Sequence, residues 1–218
     1  MVFMSSLCSV SAYMKTKTKA RQTGNEVYRF LRDKLKLPIN REKSHICRPV
    51  NFTLLGFGFV PTYEKGVRGK YQLVVSQKSW DKLKQKLKAV TRKTIPMSFD
   101  ERIRKLMEIQ RGWTYNFRMA NIYAKLVELD GWVRNRLRYC IWHHWKKAEK
   151  KRRSLIRLGV EPFEAYKWSR TRKGGWAVAQ SPILGTTITV DRLKCRGYSP
   201  FAEMYKRVSL QFNEPLYT

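Results

Sequence analysis

Metal-dependent phosphoryl transfer needs at least two carboxylates converging on divalent cations. The 16 Asp and Glu residues of this 218-residue chain are scattered. The one adjacent pair, Asp100-Glu101, follows Ser98 and reads as a capping box, with Ser at the cap and Glu three residues on. Glu128 and Asp130 stand two apart on a helical stretch, so they do not share a face. Cys140, His143 and His144 form C-x-x-H-H. Cys140 and His144 have the i, i+4 spacing of two ligands on one helix face. A tetrahedral site needs more ligands, and the only other His is His45. No metal site and no cofactor is expected. Neither G-x-x-x-x-G-K-S/T nor G-x-S-x-G occurs, and no Ser/His/Asp set is evident. These residues favour a binder over an enzyme.

The cations point the same way. Lys and Arg number 46, the formal net charge is +30 and the sequence pI is about 10.4. Such a chain repels itself and calls for a polyanion, nucleic acid before an anionic membrane. The charge is clustered. Lys15, Lys17, Lys19 and Arg21 alternate, and residues 134–153 carry nine Lys or Arg against one acid, Glu149. Trp132, Tyr139, Trp142 and Trp145 interleave with that second run. Lys167, Arg170, Arg172 and Lys173 lie between Trp168 and Trp176. Cations neutralise phosphates and release counterions, while aromatic faces stack on unpaired bases. His143 and His144 are expected to face phosphate rather than a metal.

Other classes are excluded. No stretch approaches the roughly 18 apolar residues that span a bilayer. Met1–Met14 has no basic segment before it and reads poorly as a secretory signal. Cys8, Cys47, Cys140 and Cys195 are far apart, with no C-x-x-C, so free thiols in a reducing cytoplasm are expected.

The positioning elements follow from periodicity. Cys8 to Met14 suggests a short strand. Thr18 to Leu37 reads as a helix with Val27, Phe30, Leu31 and Leu35 on one face, stopped by Pro38. A turn follows over Ile39–Ser44. Phe52–Val60 reads as a strand, returning through a loop at 64–70 to Tyr71–Val75. Three amphipathic helices come next. The first is capped by Ser79 and buries Trp80, Leu83, Leu87 and Val90. The second is capped by Ser98 and buries Ile103, Leu106, Met107 and Ile109. The third is capped by Asn121 and buries Leu126, Leu129, Trp132 or Val133, Leu137, Ile141 and Trp145. Together they suggest a small bundle. Leu155–Gly159 reads as a helix closed by glycine, and shorter helices are expected near Thr189 and Ser199.

The runs Gln110-Arg111-Gly112-Trp113-Thr114-Tyr115-Asn116-Phe117-Arg118, Leu129-Asp130-Gly131-Trp132-Val133-Arg134-Asn135-Arg136-Leu137-Arg138 and Trp142-His143-His144-Trp145-Lys146-Lys147 closely resemble the maturase-specific region, domain X or thumb, of group II intron-encoded proteins. Leu35–Ser44 and Leu54–Phe59 resemble the end of the reverse-transcriptase palm in that family. Trp168–Trp176 is similar to the segment following the thumb in its bacterial members. The resemblance covers about residues 10–205. It departs from the family at one decisive place. The catalytic Tyr-Ala-Asp-Asp motif belongs just before Cys8, where the sequence is Met1-Val2-Phe3-Met4-Ser5-Ser6-Leu7. The fingers, most of the palm and an H-N-H-type nuclease cluster are likewise not recognised within these 218 residues.

The resemblance implies an α+β fold: a palm-remnant segment of strands and helix (1–75), a mainly α-helical thumb bundle (76–153) and a basic, irregular helical tail (154–218). It implies a maturase-type protein that grips structured group II intron RNA and assists its splicing while the RNA supplies the chemistry. The expected RNA contacts are Arg134, Arg136, Arg138, Lys146, Lys147, Lys150, Arg152 and Arg153, with Arg170, Arg172 and Lys173 second. Trp113 and Trp132 are assigned to the core. Two further partners stay open, a separately encoded fingers–palm fragment and target DNA. Alternative readings are the C-terminal subunit of a split RNA-directed DNA polymerase, or a truncated remnant without function.

Overall fold

The computed structural model describes residues 2–3, 12–37, 44, 46–62 and 71–213. The fold is α+β and mainly helical, and it divides into two compact units, 1–79 and 80–218.

In the first unit β1 (Val2–Phe3) pairs antiparallel with β2 (Ala12–Tyr13), the described part of the strand expected over 8–14. Helix α1 (Lys17–Arg29) starts at Thr16, whose hydroxyl oxygen accepts from the Lys19 amide at 3.3 Å. It runs into a π-helical turn, Phe30–Lys34. A wider turn rotates the side chains that follow it out of the 3.6-residue stripe. Ala20 and Leu31 are buried, whereas Phe30 and Leu35, expected inside, are 55% and 49% exposed. The chain leaves the helix at Lys36 (φ 48°). Pro38, the turn after it and the 64–70 loop lie outside the described residues, apart from Ser44.

The segment expected to be one strand over 52–60 is a hairpin. Leu55 (φ 51°) and Gly56 (φ 86°) both adopt left-handed backbone, as a two-residue hairpin turn of the primed type requires. The turn pairs β3 (Thr53–Leu54) with β4 (Phe57–Pro61). Strand β5 (Tyr71–Val75) completes the antiparallel order β3-β4-β5, with Phe57 opposite Val75. Buried Phe52 stacks on Phe59 with centroids 6.2 Å apart.

Helix α2 (Gln77–Val90) begins two residues before the expected cap. Ser79 sits in its first turn and donates to the Gly56 carbonyl at 3.2 Å. From Trp80 onward the second unit is helical. Trp80, Leu83 and Leu87 are buried as the stripe requires. Helix α3 (Phe99–Asn116) is capped where the sequence places the cap: Ser98 Oγ accepts from the Glu101 amide at 3.1 Å. Helix α4 (Tyr123–His144) starts after Ile122, with no side-chain cap from Asn121. Its buried face contains Leu126, Leu129, Val133, Leu137 and Trp142. Of the pair Trp132 and Val133, Val133 is the fully buried one. Helix α5 (Ala148–Arg157) closes at Gly159 (φ 91°), where the Val160 amide returns to the Leu155 carbonyl at 3.1 Å.

The remainder is α6 (Pro162–Ser169), α7 (Gly175–Gln180), α8 (Pro182–Thr187), α9 (Val190–Lys194) and α10 (Phe201–Asn213). The short helix expected near Thr189 is α9, and Thr189 caps it, accepting from the Arg192 amide at 3.4 Å. Helices α7 and α10 pack on α4, α10 also on α3, and α6 on α5. The core is aliphatic: Leu87, Leu106, Leu126, Leu137, Leu155 and Leu184 have no exposed surface. Burying each such side chain stabilises the fold by about 1.5–3 kcal/mol. Gly175 lets the first turn of α7 close on α4. A Cβ there would stand 3.0 Å from Tyr139 Cε2 and 3.4 Å from Trp142 Cδ1.

Candidate nucleic-acid interface

The arginines of α4 divide by the direction they face. Arg136 is half-buried and turned toward the end of α2. Its Nε donates to Thr91 Oγ1 at 2.7 Å and its Nη2 to the Thr91 carbonyl at 3.1 Å. The Thr91 hydroxyl in turn donates to the Leu87 carbonyl at 2.6 Å. The last carbonyls of a helix lack internal partners and carry partial negative charge, so a guanidinium is well placed there. Arg138 does the same for α8. It donates to the Ile188 carbonyl at 3.0 Å and the Gly185 carbonyl at 3.3 Å, and to Asn135 Oδ1 at 3.2 Å. Burial pulls both guanidinium pKa values down from the ordinary arginine value. Arg134 is half-buried on the same helix. The i, i+4 spacing of Arg134 and Arg138 therefore does not give two equally available cations.

Exposed charge lies further along the chain. Lys146 and Lys147 sit in the turn between α4 and α5, and Lys150 and Arg153 follow one helical turn apart on α5. Arg153 is 72% exposed. Arg152 is engaged with Glu149, its Nη2 2.8 Å from Oε1, and that hydrogen bond holds the Glu149 carboxyl below its ordinary pKa. Arg153 reaches the same carboxylate at 3.7 Å, so one acid is shared by two arginines. Arg172 and Lys173 are exposed between α6 and α7. Arg170 lies 3.8 Å above the half-exposed Tyr166 ring.

The interleaved aromatics have mixed roles. Trp142 is buried, with the Lys151 ammonium 4.4 Å over its ring, and Trp145 packs edge-on to it at 6.0 Å. Arg136 lies 5.4 Å over the half-buried Trp132 ring. Trp113 is half-buried between Trp80 at 4.7 Å and Phe117 at 4.8 Å. Cys140 is buried and its thiol donates to the Thr91 carbonyl at 3.2 Å, while His144 is exposed. Among the described residues no three His, Cys, Asp or Glu side chains gather as metal ligands.

Asp130 is a structural carboxylate that spacing rules did not find. It is 2% exposed and accepts from the Phe201 amide at 2.7 Å, the Ala202 amide at 2.9 Å and the Tyr198 hydroxyl at 3.0 Å. It thus caps α10 from a neighbouring helix. Burial pushes its carboxyl up, and the three donors and Arg134 pull it back. Burial and the adjacent Asp130 push the Tyr198 phenol up as well. A signal was present in the sequence: the stripe Leu126, Val133, Leu137 passes through position 130, so the acid faces inward.

No helix among the described residues is long and apolar enough to cross a membrane. No curated protein matches the chain. A family model does match. Residues 80–159, from Trp80 in α2 to the glycine that closes α5, match the group II intron, maturase-specific domain. The match covers the stretch that carries the α4 arginines and the exposed Lys146, Lys147 and Lys150.

Proposed function

We propose that the protein binds structured group II intron RNA and helps it reach its splicing-competent fold, with the RNA supplying the chemistry. One observation carries this reading: the matched domain presents Lys146, Lys147, Lys150 and Arg153 on its surface with one acid, Glu149, among them. A surface of this kind stabilises a compact, phosphate-dense RNA over an open one, and the equilibrium shifts by the difference in binding. Arg134, Arg152, Arg170, Arg172 and Lys173 extend the surface. Arg136 and Arg138 contribute by holding α2 and α8 in place. The work is done in the reducing cytoplasm, where Cys47, Cys140 and Cys195 stay as the thiols they are in the fold. Target DNA is a second polyanion that the same surface accommodates.

The test is binding to a group II intron transcript across a salt series. Replacing Lys146, Lys147, Lys150 and Arg153 by Ala should lower affinity and reduce the log–log salt slope by roughly 0.7–0.9 per lost phosphate contact. An unchanged slope would reject this surface as the grip.

A second reading has its own support. Phe30, Leu35, Val50 and Leu55 of the first unit are exposed, Leu55 to 84%. Covering them would remove apolar surface from water. A separately encoded fingers–palm fragment docked there would make the chain the C-terminal subunit of a polymerase. Primer extension by the mixture, and by neither part separately, would establish it.

A further inference from the structure

The connection from α2 to α3 lies against the C-terminal end of α4 and leaves a cleft of about 770 Å³. That volume falls in the range of roughly 300–1,000 Å³ that accommodates a small organic ligand. Its walls are apolar and partly aromatic, with Met97 and Phe99 on one side and Ile141 and Trp145 on the other. Its mouth is cationic. Lys93 and Lys146 are exposed there, with His143 and His144 beside them. Arg196 lies 4.8 Å over the Phe99 ring and is paired with Asp100 at 2.9 Å, the one carboxylate among the lining residues. Beneath, buried Arg102 donates to the carbonyls of Val90, Arg92 and Ile95, so its positive charge is held by neutral acceptors. Desolvation, then the charges of Lys93, Lys146, Lys151 and His144, hold His143 below the ordinary histidine pKa.

Apolar, aromatic walls under a cationic rim match the two faces of a nucleotide: a flat base and an anionic backbone. We infer that the cleft receives an unpaired nucleotide of single-stranded RNA, the base against Met97, Phe99 and Trp145 and the flanking phosphates on Lys93 and Lys146. This rests on the RNA-binding reading and adds a site to it. Lys147, Lys150 and Arg153 offer contact to phosphate, whereas the cleft offers contact to a base that has left its helix. A paired base is not available to it, because in an A-form duplex the faces are stacked and the edges lie within the grooves.

The full-length chain should be photo-crosslinked to a short oligouridylate carrying thiouridine, and the linked peptides identified by mass spectrometry. Linkage to Met97–Phe99 or Trp145 is expected, competed by unlabelled single strand and poorly by a duplex of the same length. Met97→Trp, which fills the cleft, should weaken binding of the single strand by roughly fivefold or more, as expected for one lost stacking contact. Circular dichroism on this variant separates a blocked cleft from a lost fold. If the variant is unfolded, the wild-type linkage map decides. Linkage confined to other residues, with the intron transcript still bound, overturns the cleft and leaves the general reading standing. Binding of neither RNA overturns both.

Discussion

The Asp130 carboxylate satisfies two amides at the start of α10 and the buried Tyr198 hydroxyl. Asp130→Asn keeps one acceptor oxygen but turns an amide donor toward other donors. It should cost about 1–3 kcal/mol of stability in denaturant unfolding, with Asp130→Ala costing more. His143 makes a second prediction. Desolvation and the charges of Lys93, Lys146, Lys151 and His144 depress its folded pKa below the unfolded value of about 6.5. The unfolded chain therefore binds the extra proton first. The stability tied to this group is present above about pH 6.5 and is lost as pH falls through the folded pKa. An NMR titration should place the His143 midpoint below that of an unstructured histidine. Bound RNA phosphate should move it upward. A midpoint insensitive to saturating RNA would argue that no phosphate reaches the mouth of the cleft.

Helix α4 organises the second unit, because α7 and α10 pack on it and its arginines bind the ends of α2 and α8. Arg136→Ala leaves the Thr91 carbonyl with the Cys140 thiol and the Thr91 hydroxyl without its donor. It should lower the unfolding midpoint, at about 1–3 kcal/mol, while changing the salt slope of RNA binding little. The four-alanine variant at Lys146, Lys147, Lys150 and Arg153 should do the reverse, altering the slope and sparing stability. If Arg136→Ala changed the slope as much as the surface variant, its assignment to packing would be wrong. The resemblance made all these cations equivalent, since sequence records charge but not which way a guanidinium turns.

A net charge of +30 on 218 residues is a standing repulsion within each unit. Added salt screens it, with a Debye length near 8 Å at physiological ionic strength. The thermal midpoint of the protein without RNA should therefore rise with moderate salt. The affinity for RNA should fall over the same range, because the same screening opposes counterion release. A midpoint that fell with salt would mean that ion pairs such as Arg196–Asp100 and Arg152–Glu149 outweigh the repulsion.

Sequence determined those features that depend on neighbours within a few residues. The capping box at Ser98, the glycine closing α5 and the helix near Thr189 are local and are found where spacing places them, as are Trp80, Leu83 and Leu87 of α2 and Ile103 and Leu106 of α3, whereas Val90, Met107 and Ile109 are only half-buried. The runs around Gly112, Asp130 and Trp142 carry the resemblance, and all three lie within residues 80–159, where the family model matches. Tertiary packing decided the rest. The turn at Leu55-Gly56 reads as strand until β3 and β4 pair across it, and Leu35 lies outward after the π-helical turn, against its pattern. The inward face of Asp130 is set by the α4 stripe, but its partners are not known until α10, about seventy residues on, brings amides to it. The cleft needs the α2–α3 connection, the end of α4 and Arg196 in one place. Contacts between residues so far apart in sequence leave no periodic trace, because they exist only after the helices have packed.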